Sequence, residues 1–357
     1  MAGIHPMQLL RTALGSLALA AALTAQVTVT VPCSKDNTLY ESATGSLSNG
    51  AGIHTFCGLT GQPLLRRTLS QFNVAAAVPA GARILTATIQ YNISRSAVGS
   101  DVDMFLHRVN ASWGEGNSNA TNQEGTGASA TNNDATWIHR FYPNQPWTTP
   151  GGDFRTTPSS VFRTTGYGTF SFPSTSALVT DVQSMLDNPT SNFGWLIKTN
   201  EQTAYVTRRL DSRENSFPVN RPVMTVTYMT RGTTAVVGTP CPTPNQALTL
   251  AASGATSPGT TTFALSGGVP GGLAAVLLSL ELDPLGTPLF PFCPLYLPFG
   301  GTITTQAVLT LSGTGTGSTS LTVPANLGGV FLAAQAAAVD ALPVGYTLSN
   351  AAAVLMQ

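Results

Sequence analysis

The chain has 357 residues with 16 basic and 16 acidic side chains, so its formal net charge is zero. A balanced charge creates no field of one sign around the protein, which argues against nucleic acid or an anionic membrane as a partner. The length allows two domains of ordinary size, each with a hydrophobic core of its own.

Residues 1–25 have the pattern of a secretory signal peptide. Arg11 lies in a short positive lead, an apolar run extends from Leu14 to Leu23, and small residues end at Ala25. A bilayer needs roughly 20 apolar residues, and this run is half that length. We therefore expect a secreted or cell-surface protein, whose mature chain begins at Gln26 and has no membrane span.

The four cysteines are expected to form two disulfide bonds, because export places them in an oxidising compartment. Pairing by neighbourhood joins Cys33 to Cys57 and Cys241 to Cys293. In the loop-entropy description each bond adds about 3 to 4 kcal/mol to the free energy of unfolding.

Residues 26–230 contain short runs of branched and aromatic residues between clusters of Gly, Asn, Pro and Ser, which predict an antiparallel β-sandwich. The clearest runs are residues 83–93, 102–109, 193–199 and 222–228. One helix is predicted in STSALVTDVQSMLDNP, where apolar residues have helical spacing and Pro189 closes the end. Residues 114–160 lack periodicity and are expected to form a surface excursion.

The composition changes after Arg231. From Gly238 to the end there are three charged residues, Glu281, Asp283 and Asp340. Strand-like runs at 274–282, 306–313 and 319–324 predict a second, smaller β-sandwich over residues 240–357, with residues 231–239 as a linker. The predicted fold class is thus all-β, with two sandwiches, and the weakly charged second surface favours contact with another surface.

Six segments of the first domain resemble the DNRLRE family of bacterial extracellular domains. They are DNTLYES (36–42), LLRRTLSQFNVAAAVPAGARILTATIQYNI (64–93), ASWGEG (111–116), ATWIHRFYPNQPWTTPGGDF (135–154), LVTDVQSMLDNPTSNFGWLIK (178–198) and RRLDSRENSFPVNRPVMTVTY (208–228). The resemblance implies a jelly-roll sandwich with an accessory, non-catalytic role. In members that bind sugar, it implies acidic or plant and algal polysaccharides held by basic and polar side chains on a sheet face.

Basic side chains are the candidate ligands for uronic-acid carboxylates, since arginine binds a carboxylate through two parallel hydrogen bonds. The candidates are Lys35, His54, Arg67, Arg108, Arg209 and Arg213. The last two belong to the charge-rich segment RRLDSREN (208–215), which is interpreted as a structural charge clasp, with binding by Arg209 and Arg213 as the alternative. Trp113, Trp137 and Trp147 form either a platform for sugar rings or the local core beneath the excursion.

Conventional hydrolase signatures, such as GxSxG and HExxH, are missing from the sequence, which argues against an enzyme. The enzymatic alternative is a carboxylate glycosidase or lyase, which needs two acidic groups at a fixed separation and could draw them from Glu115, Glu124, Asp134 and Asp153. Acidic residues in such loops more often accept backbone hydrogen bonds or bind calcium. A structural calcium ion held by Asp36 or Asp153 with loop carbonyls is therefore a further hypothesis.

The leading hypothesis is a secreted, non-catalytic protein that binds extracellular polysaccharide through its first domain. The alternative is a structural or adhesive surface protein, in which the first domain is a spacer and the second domain contacts a cell-surface component. The near absence of charge beyond Arg231 motivates this alternative.

Overall fold

A computed structural model describes residues 26–96, 101–241, 247–289, 293–340 and 345–357. The chain is all-β with two sandwiches, which confirms the predicted fold class. The predicted signal peptide lies outside the described residues. Within the described part of the chain, no helix combines the length and the apolar content needed to cross a membrane.

The N-terminal region contains the elements that build the first sandwich. Its strands are β1 (Gln26–Tyr40), β2 (Leu47–Ser48), β3 (His54–Leu59), β4 (Leu65–Phe72), β5 (Arg83–Ser96), β6 (Val102–Arg108), β7 (Ala128–Ser129), β8 (His139–Phe141), β9 (Gln145–Pro146), β10 (Ser160–Thr164), β11 (Gly168–Phe172), β12 (Trp195–Lys198), β13 (Arg208–Asp211) and β14 (Val223–Met229). Its helices are α1 (Val74–Ala77) and α2 (Ser176–Asp187), with 3₁₀ turns at Pro189–Ser191 and Pro218–Asn220. The predicted strand runs coincide with β5, β6, β12 and β14.

Strand β1 belongs to both sheets of this sandwich. Its first half pairs with β14, where Gln26 lies opposite Met229, and its second half pairs with β4, where Tyr40 lies opposite Arg66. One sheet continues through β14, β5, β13 and β3, and the other through β4, β12, β6 and β10. Alternate side chains of both sheets enclose one core, which includes Phe72, Ile89, Tyr91, Leu106, Trp195 and Val226.

Helix α2 confirms the helix predicted from the sequence. The Thr175 side chain caps its first turn by accepting a hydrogen bond from the Leu178 amide, 3.0 Å away. The apolar residues at helical spacing face the core, where Leu178, Val182, Met185 and Leu186 are buried. Pro189 begins the 3₁₀ turn that follows.

The excursion, defined here as residues 109–159, forms a layer over the outer face of the second sheet. That face presents Leu39 of β1, Leu69 of β4 and Leu196 of β12. Trp113, Trp137 and Trp147 of the excursion pack on these leucines and complete a second hydrophobic cluster. The sheet is therefore buried on both sides.

The C-terminal region forms the second sandwich. Its strands are β15 (Thr233–Val237), β16 (Thr249–Ser253), β17 (Gly259–Ser266), β18 (Leu273–Ser279), β19 (Thr287–Leu289), β20 (Cys293–Leu295), β21 (Thr304–Thr310), β22 (Gly317–Val323), β23 (Phe331–Val339) and β24 (Tyr346–Leu355). One sheet has the order β15–β24–β23–β18–β21 and the other β16–β17–β22. Their shared core includes Leu250, Phe263, Val276, Ala334 and Val354.

The segment predicted as a linker, residues 231–239, is largely an edge strand. β15 pairs with β24, so that Thr233 lies opposite Leu355 and Val237 opposite Ala351. Ala235 and Val237 are buried at alternate positions, which is the burial pattern of a strand with one face against a core.

One predicted disulfide bond is confirmed and the other is corrected. Cys241 and Cys293 are bonded, whereas Cys33 and Cys57 are buried free thiols. Closeness along the sequence does not make their strands partners, since Cys57 lies opposite Arg208 of β13 and Cys33 opposite Phe72 of β4. The Cys33 thiol instead donates to the Lys35 carbonyl, 3.3 Å away.

Thiol titration tests this correction. We expect Ellman's reagent to detect no thiol in the folded protein at about pH 8, because burial raises the pKa of Cys57 to about 12 and that of Cys33 well above its ordinary value. After denaturation without reductant, two thiols per chain should react. The variant Cys33→Ser should lose one of them, and an unreactive denatured wild type would contradict the structure.

Candidate functional site

The segment RRLDSREN places its charged side chains in separate environments. Arg208 is fully buried, and its Nη1 donates to the Val206 carbonyl. Arg209 reaches a surface pocket, and Arg213 lies among carboxylates. The features around these last two side chains define the candidate site.

Arg209 lies directly opposite Arg95, because β13 and β5 pair with a shift in register. Arg209 is opposite Arg95 but Leu210 is opposite Ile93, so Ser94 is an extra residue that forms a β-bulge. In a regular strand Arg95 would share the inward direction of Ile93. The bulge reverses this, and Arg95 is exposed beside Arg209.

The two arginines share one neutral acceptor. Arg95 Nη1 and Arg209 Nη1 donate to Gln123 Oε1 at 2.8 and 2.7 Å. Among the described residues, neither guanidinium is within ion-pair distance of a carboxylate. Burial is the main cause of the lowered pKa of Arg209; the Asp211 charge is next and opposes it, the Arg95 charge lowers the pKa further, and the Glu124 charge raises it. Within the described residues, a pair of like charges thus lies at the surface with no carboxylate in direct contact with either guanidinium.

A pocket of about 240 Å³ opens beside this pair, and we call it the arginine pocket. Its lining consists of Phe56, Thr60, Gly61, Arg95, Gln123, Gly125, Thr207 and Arg209. The Tyr205 ring lies against Gly61, where an added Cβ would be 2.3 Å from Tyr205 Cε1. The pocket thus contains two cationic donors and an amide, and the Tyr205 ring beside it is 58% exposed.

His54 is a buried bridge between two carboxylates. Its Nδ1 lies 3.3 Å from Glu124 Oε2, and its Nε2 lies 3.5 Å from Asp211 Oδ1. Glu124 Oε2 also accepts hydrogen bonds from Asn49 Nδ2 and from the His54 amide. Burial alone would raise the pKa of Glu124, but the contacts with His54 and Asn49 outweigh it, and the pKa lies below its ordinary value.

Arg213 gathers three carboxylates. Its Nε and Nη2 donate to the two oxygens of Glu115 at 2.6 and 2.7 Å, its Nη2 lies 2.9 Å from Glu214 Oε1, and its amide donates to Asp36 Oδ2. One ligand atom each from Asp36, Glu115 and Glu214 lies within 4.8 Å of the others. We call these three residues the carboxylate cluster. Arg213 thus holds the chain after β13 as a charge clasp, while Asp211 pairs with His54.

Burial dominates the electrostatics of the carboxylate cluster. Burial, together with the neighbouring Glu214 charge, holds the pKa of Asp36 well above its ordinary value. Burial likewise raises the pKa of Glu214, against the opposing effect of Arg213. Removing two carboxylates from water is therefore only partly offset by the protein's own donors.

Lys35 and Arg67, two predicted ligands for sugar, hold the excursion in place. Lys35 Nζ lies 4.2 Å from the centroid of the Trp113 ring and donates to the Trp113 carbonyl. Arg67 donates to both oxygens of Glu201 at 2.7 and 2.9 Å, and its guanidinium lies 4.9 Å from the Trp137 centroid. Both cations already have partners within the chain.

Arg108 is also engaged, since its Nη1 lies 3.5 Å from Asp181 Oδ1 and its Nη2 donates to Ser184 Oγ. The predicted basic patch is therefore not assembled as one surface. Arg209 is the predicted cation that reaches the arginine pocket. Its partners there, Arg95 and Gln123, were not among the predicted residues.

The predicted tryptophan platform is corrected. Trp113, Trp137 and Trp147 are 1, 9 and 4% exposed, so they do not present rings to solvent. The indoles of Trp113 and Trp147 donate to the backbone carbonyls of Phe193 and Thr136. The tryptophans instead form the local core beneath the excursion, because the excursion must cover the outer sheet face.

Asp153, the second predicted calcium ligand, closes a turn. Its two oxygens accept hydrogen bonds from the amides of Thr148 and Thr149 at 2.9 and 3.0 Å. Asp36 is instead brought together with Glu115 and Glu214. Glu115, a residue of the glycosidase hypothesis, is bound by Arg213.

Comparison with known proteins adds no assignment to this geometry. No protein-family model matches the chain, and no curated protein is significantly similar to it.

The buried Glu124 carboxylate gives a pH-dependent prediction. Glu124→Gln should lower the free energy of unfolding by about 1 to 3 kcal/mol near neutral pH, because a charged acceptor of several hydrogen bonds is lost. A depressed folded-state pKa contributes stability above the unfolded value, roughly 4.3, and that contribution is lost as pH falls through the folded value.

Urea titrations at several pH values check this expectation. The difference between wild type and Glu124→Gln should shrink from about pH 5 towards pH 3. The matched control is Glu281→Gln at an exposed position, which should show little difference at any pH. A Glu124→Gln difference that does not change with pH would contradict a role for the charge.

Proposed function

We propose that the protein is a secreted, non-catalytic protein that binds acidic polysaccharide, and that the arginine pocket receives a carboxylate or sulfate group of the polymer. The observation that carries the proposal is the pairing of Arg95 and Arg209 directly opposite each other, with no carboxylate of the described residues in contact with them. Like charges at opposed strand positions destabilise a sheet. A bound anion would remove this repulsion.

The side chains around the pocket suit such a ligand. A guanidinium binds a carboxylate or sulfate through parallel N–H donors, which gives specificity as well as affinity. The exposed Tyr205 ring offers an apolar surface to the face of a sugar ring. At about 240 Å³ the pocket is smaller than those that enclose drug-sized ligands, so a polymer would lie across it and insert one charged substituent.

Features elsewhere in the chain support an extracellular setting. The Cys241–Cys293 bond is typical of an oxidising compartment, and the sequence begins with the pattern of a signal peptide. The resemblance of residues 27–230 to DNRLRE domains implies the same class of ligand. A conventional hydrolase motif is absent from the sequence, which supports a binding role.

Affinity electrophoresis and calorimetry with polygalacturonate, alginate, a sulfated galactan and neutral xylan test the proposal. Arg95→Gln and Arg209→Gln should each weaken binding to an acidic polymer by about tenfold or more, because each removes a charge-assisted contact. Tyr205→Ala should weaken binding by a smaller factor. Rising salt should weaken wild-type binding, because the contacts are exposed to ions.

Arg163→Gln is the matched control, because Arg163 is an exposed arginine that already lies 3.4 Å from Asp101 and 3.2 Å from Asp103. It should bind as wild type does. Arg95→Gln should also be as stable as wild type or more stable by a few tenths of a kcal/mol, on the order expected for relief of cross-strand repulsion. No retardation of the wild type by any acidic polymer would refute the proposal.

Surface attachment through the second sandwich is the second candidate function. Leu280 and Phe299 are 67 and 76% exposed in the C-terminal region. Leu280 lines a cavity of about 590 Å³ together with Leu278 and Leu332. Exposed apolar side chains beside a cavity are typical of an interaction surface.

The double variant Leu280→Ser and Phe299→Ser tests attachment. If the second sandwich binds a surface component, the variant should shift from the cell-associated fraction to the medium, because the apolar contact is lost. Val27→Ser, at an exposed position of the first sandwich, is the control. A wild type found entirely in the medium as a monomer would contradict this function.

A further inference from the structure

The carboxylate cluster contains buried acceptors for which the described residues supply no donor. Asp36 is 1% exposed, and its Oδ1 has no hydrogen-bond partner among the described residues. Glu214 Oε2 is also buried without a partner in that part of the chain. Such oxygens cost free energy in a folded protein unless something else binds them.

The charge of the cluster points to a cation. When ionised, Asp36, Glu115 and Glu214 carry three negative charges, and the Arg213 guanidinium offsets one of them. Lys35 is the next cation; it interacts favourably with Glu115 but forms no ion pair with it, and its Nζ donates to the Trp113 carbonyl. In that fully ionised form the cluster keeps an excess of negative charge, beside two oxygens for which the described residues supply no hydrogen bond.

We propose that the carboxylate cluster binds a hard divalent cation, with calcium the best fit, through oxygens of Asp36, Glu115 and Glu214. Calcium binds oxygen ligands at about 2.3 to 2.6 Å, so ligands on opposite sides of one ion are about 5 Å apart. The three ligand atoms lie within 4.8 Å of one another, so a single calcium ion can contact all of them. Magnesium ligands, at about 2.0 to 2.1 Å, would be at most about 4.2 Å apart.

Arg213 does not compete with the ion for all of the available oxygen lone pairs. A carboxylate has about four lone-pair sites, and Glu115 accepts two hydrogen bonds from Arg213 and one from the Asp36 amide, which leaves one site for a metal. Asp36 Oδ1 and Glu214 Oε2 are free for the ion without loss of a hydrogen bond to the described residues. Backbone carbonyls and water would complete the coordination.

The three ligands come from separate parts of the first sandwich. Asp36 lies in β1, Glu115 in the excursion, and Glu214 in the segment that follows β13. An ion bound by all three would join these segments and hold the start of the excursion, including Trp113, against the sheet. The ion is thus a stabilising element, and the proposal does not depend on polysaccharide binding.

Calcium titration of the purified full chain tests the proposal. Saturating calcium should raise the Tm by about 5 °C relative to EDTA, since a ligand that binds only the folded state stabilises it. Calorimetry should show one site, and magnesium should bind more weakly. Terbium luminescence excited through tryptophan should appear on terbium addition and be displaced by calcium, because Trp113 precedes Glu115 by two residues.

Variants assign the site. Glu214→Gln should weaken calcium binding by about tenfold or more while leaving the fold intact, because Glu214 is partly exposed. Asp36→Asn should abolish the calcium-dependent rise in Tm. Asp153→Asn is the control, since both Asp153 oxygens already bind backbone amides, and it should bind calcium as wild type does.

The proposal is overturned if calcium and EDTA give the wild type the same Tm and calorimetry detects no binding. It is also overturned if Glu214→Gln binds calcium as tightly as wild type, or if Asp153→Asn loses binding. Arg95→Gln should bind calcium normally, so failure of the polysaccharide assay and failure of the calcium assay are separate results.

Discussion

The backbone of the excursion needs hydrogen-bond partners, and much of the polar chemistry of the first sandwich follows from this requirement. Residues 109–159 contain few residues in strands, so side chains must satisfy amides that a sheet would otherwise pair. Asp153 accepts from the excursion amides of residues 148 and 149, and Glu124 of the excursion in turn accepts from the amides of residues 53 and 54 outside it. Lys35 and Arg67 donate to excursion carbonyls from the other side. Acidic and basic groups thus serve as a substitute for regular secondary structure.

Only 9% of the chain is charged. Charged groups that have neither an ion-pair partner nor a full set of hydrogen bonds are therefore informative. Arg95 and Arg209 satisfy no carboxylate of the described chain, and Asp36 and Glu214 each have a buried oxygen that no described donor reaches. These are local conflicts between charge and environment. Natural proteins keep such conflicts mostly at functional positions, where a ligand resolves them. An anion at the arginines and a cation at the carboxylates would do so.

The second sandwich achieves stability by different means. It has three charged residues, and its cohesion comes from apolar packing, a disulfide bond and a few buried amides. Gln335 Nε2 donates to the Pro294 and Ser349 carbonyls, and Asn350 Nδ2 donates to the Leu250 carbonyl. Its surface lacks the ionic chemistry of the first sandwich. The two halves of the chain are therefore suited to different partners.

The sequence by itself determined the all-β class, helix α2, the strand runs and the change in composition, because these depend on side chains spaced along one segment. It also named Arg209 and Asp36. The tertiary structure alone decided that Ser94 forms a bulge and turns Arg95 outwards, that Glu214 meets Asp36, and that Cys33 and Cys57 lie opposite other residues. It also buried the three tryptophans. Each of these outcomes depends on which strands become neighbours and in what register, and periodicity within one strand carries no information about its partner.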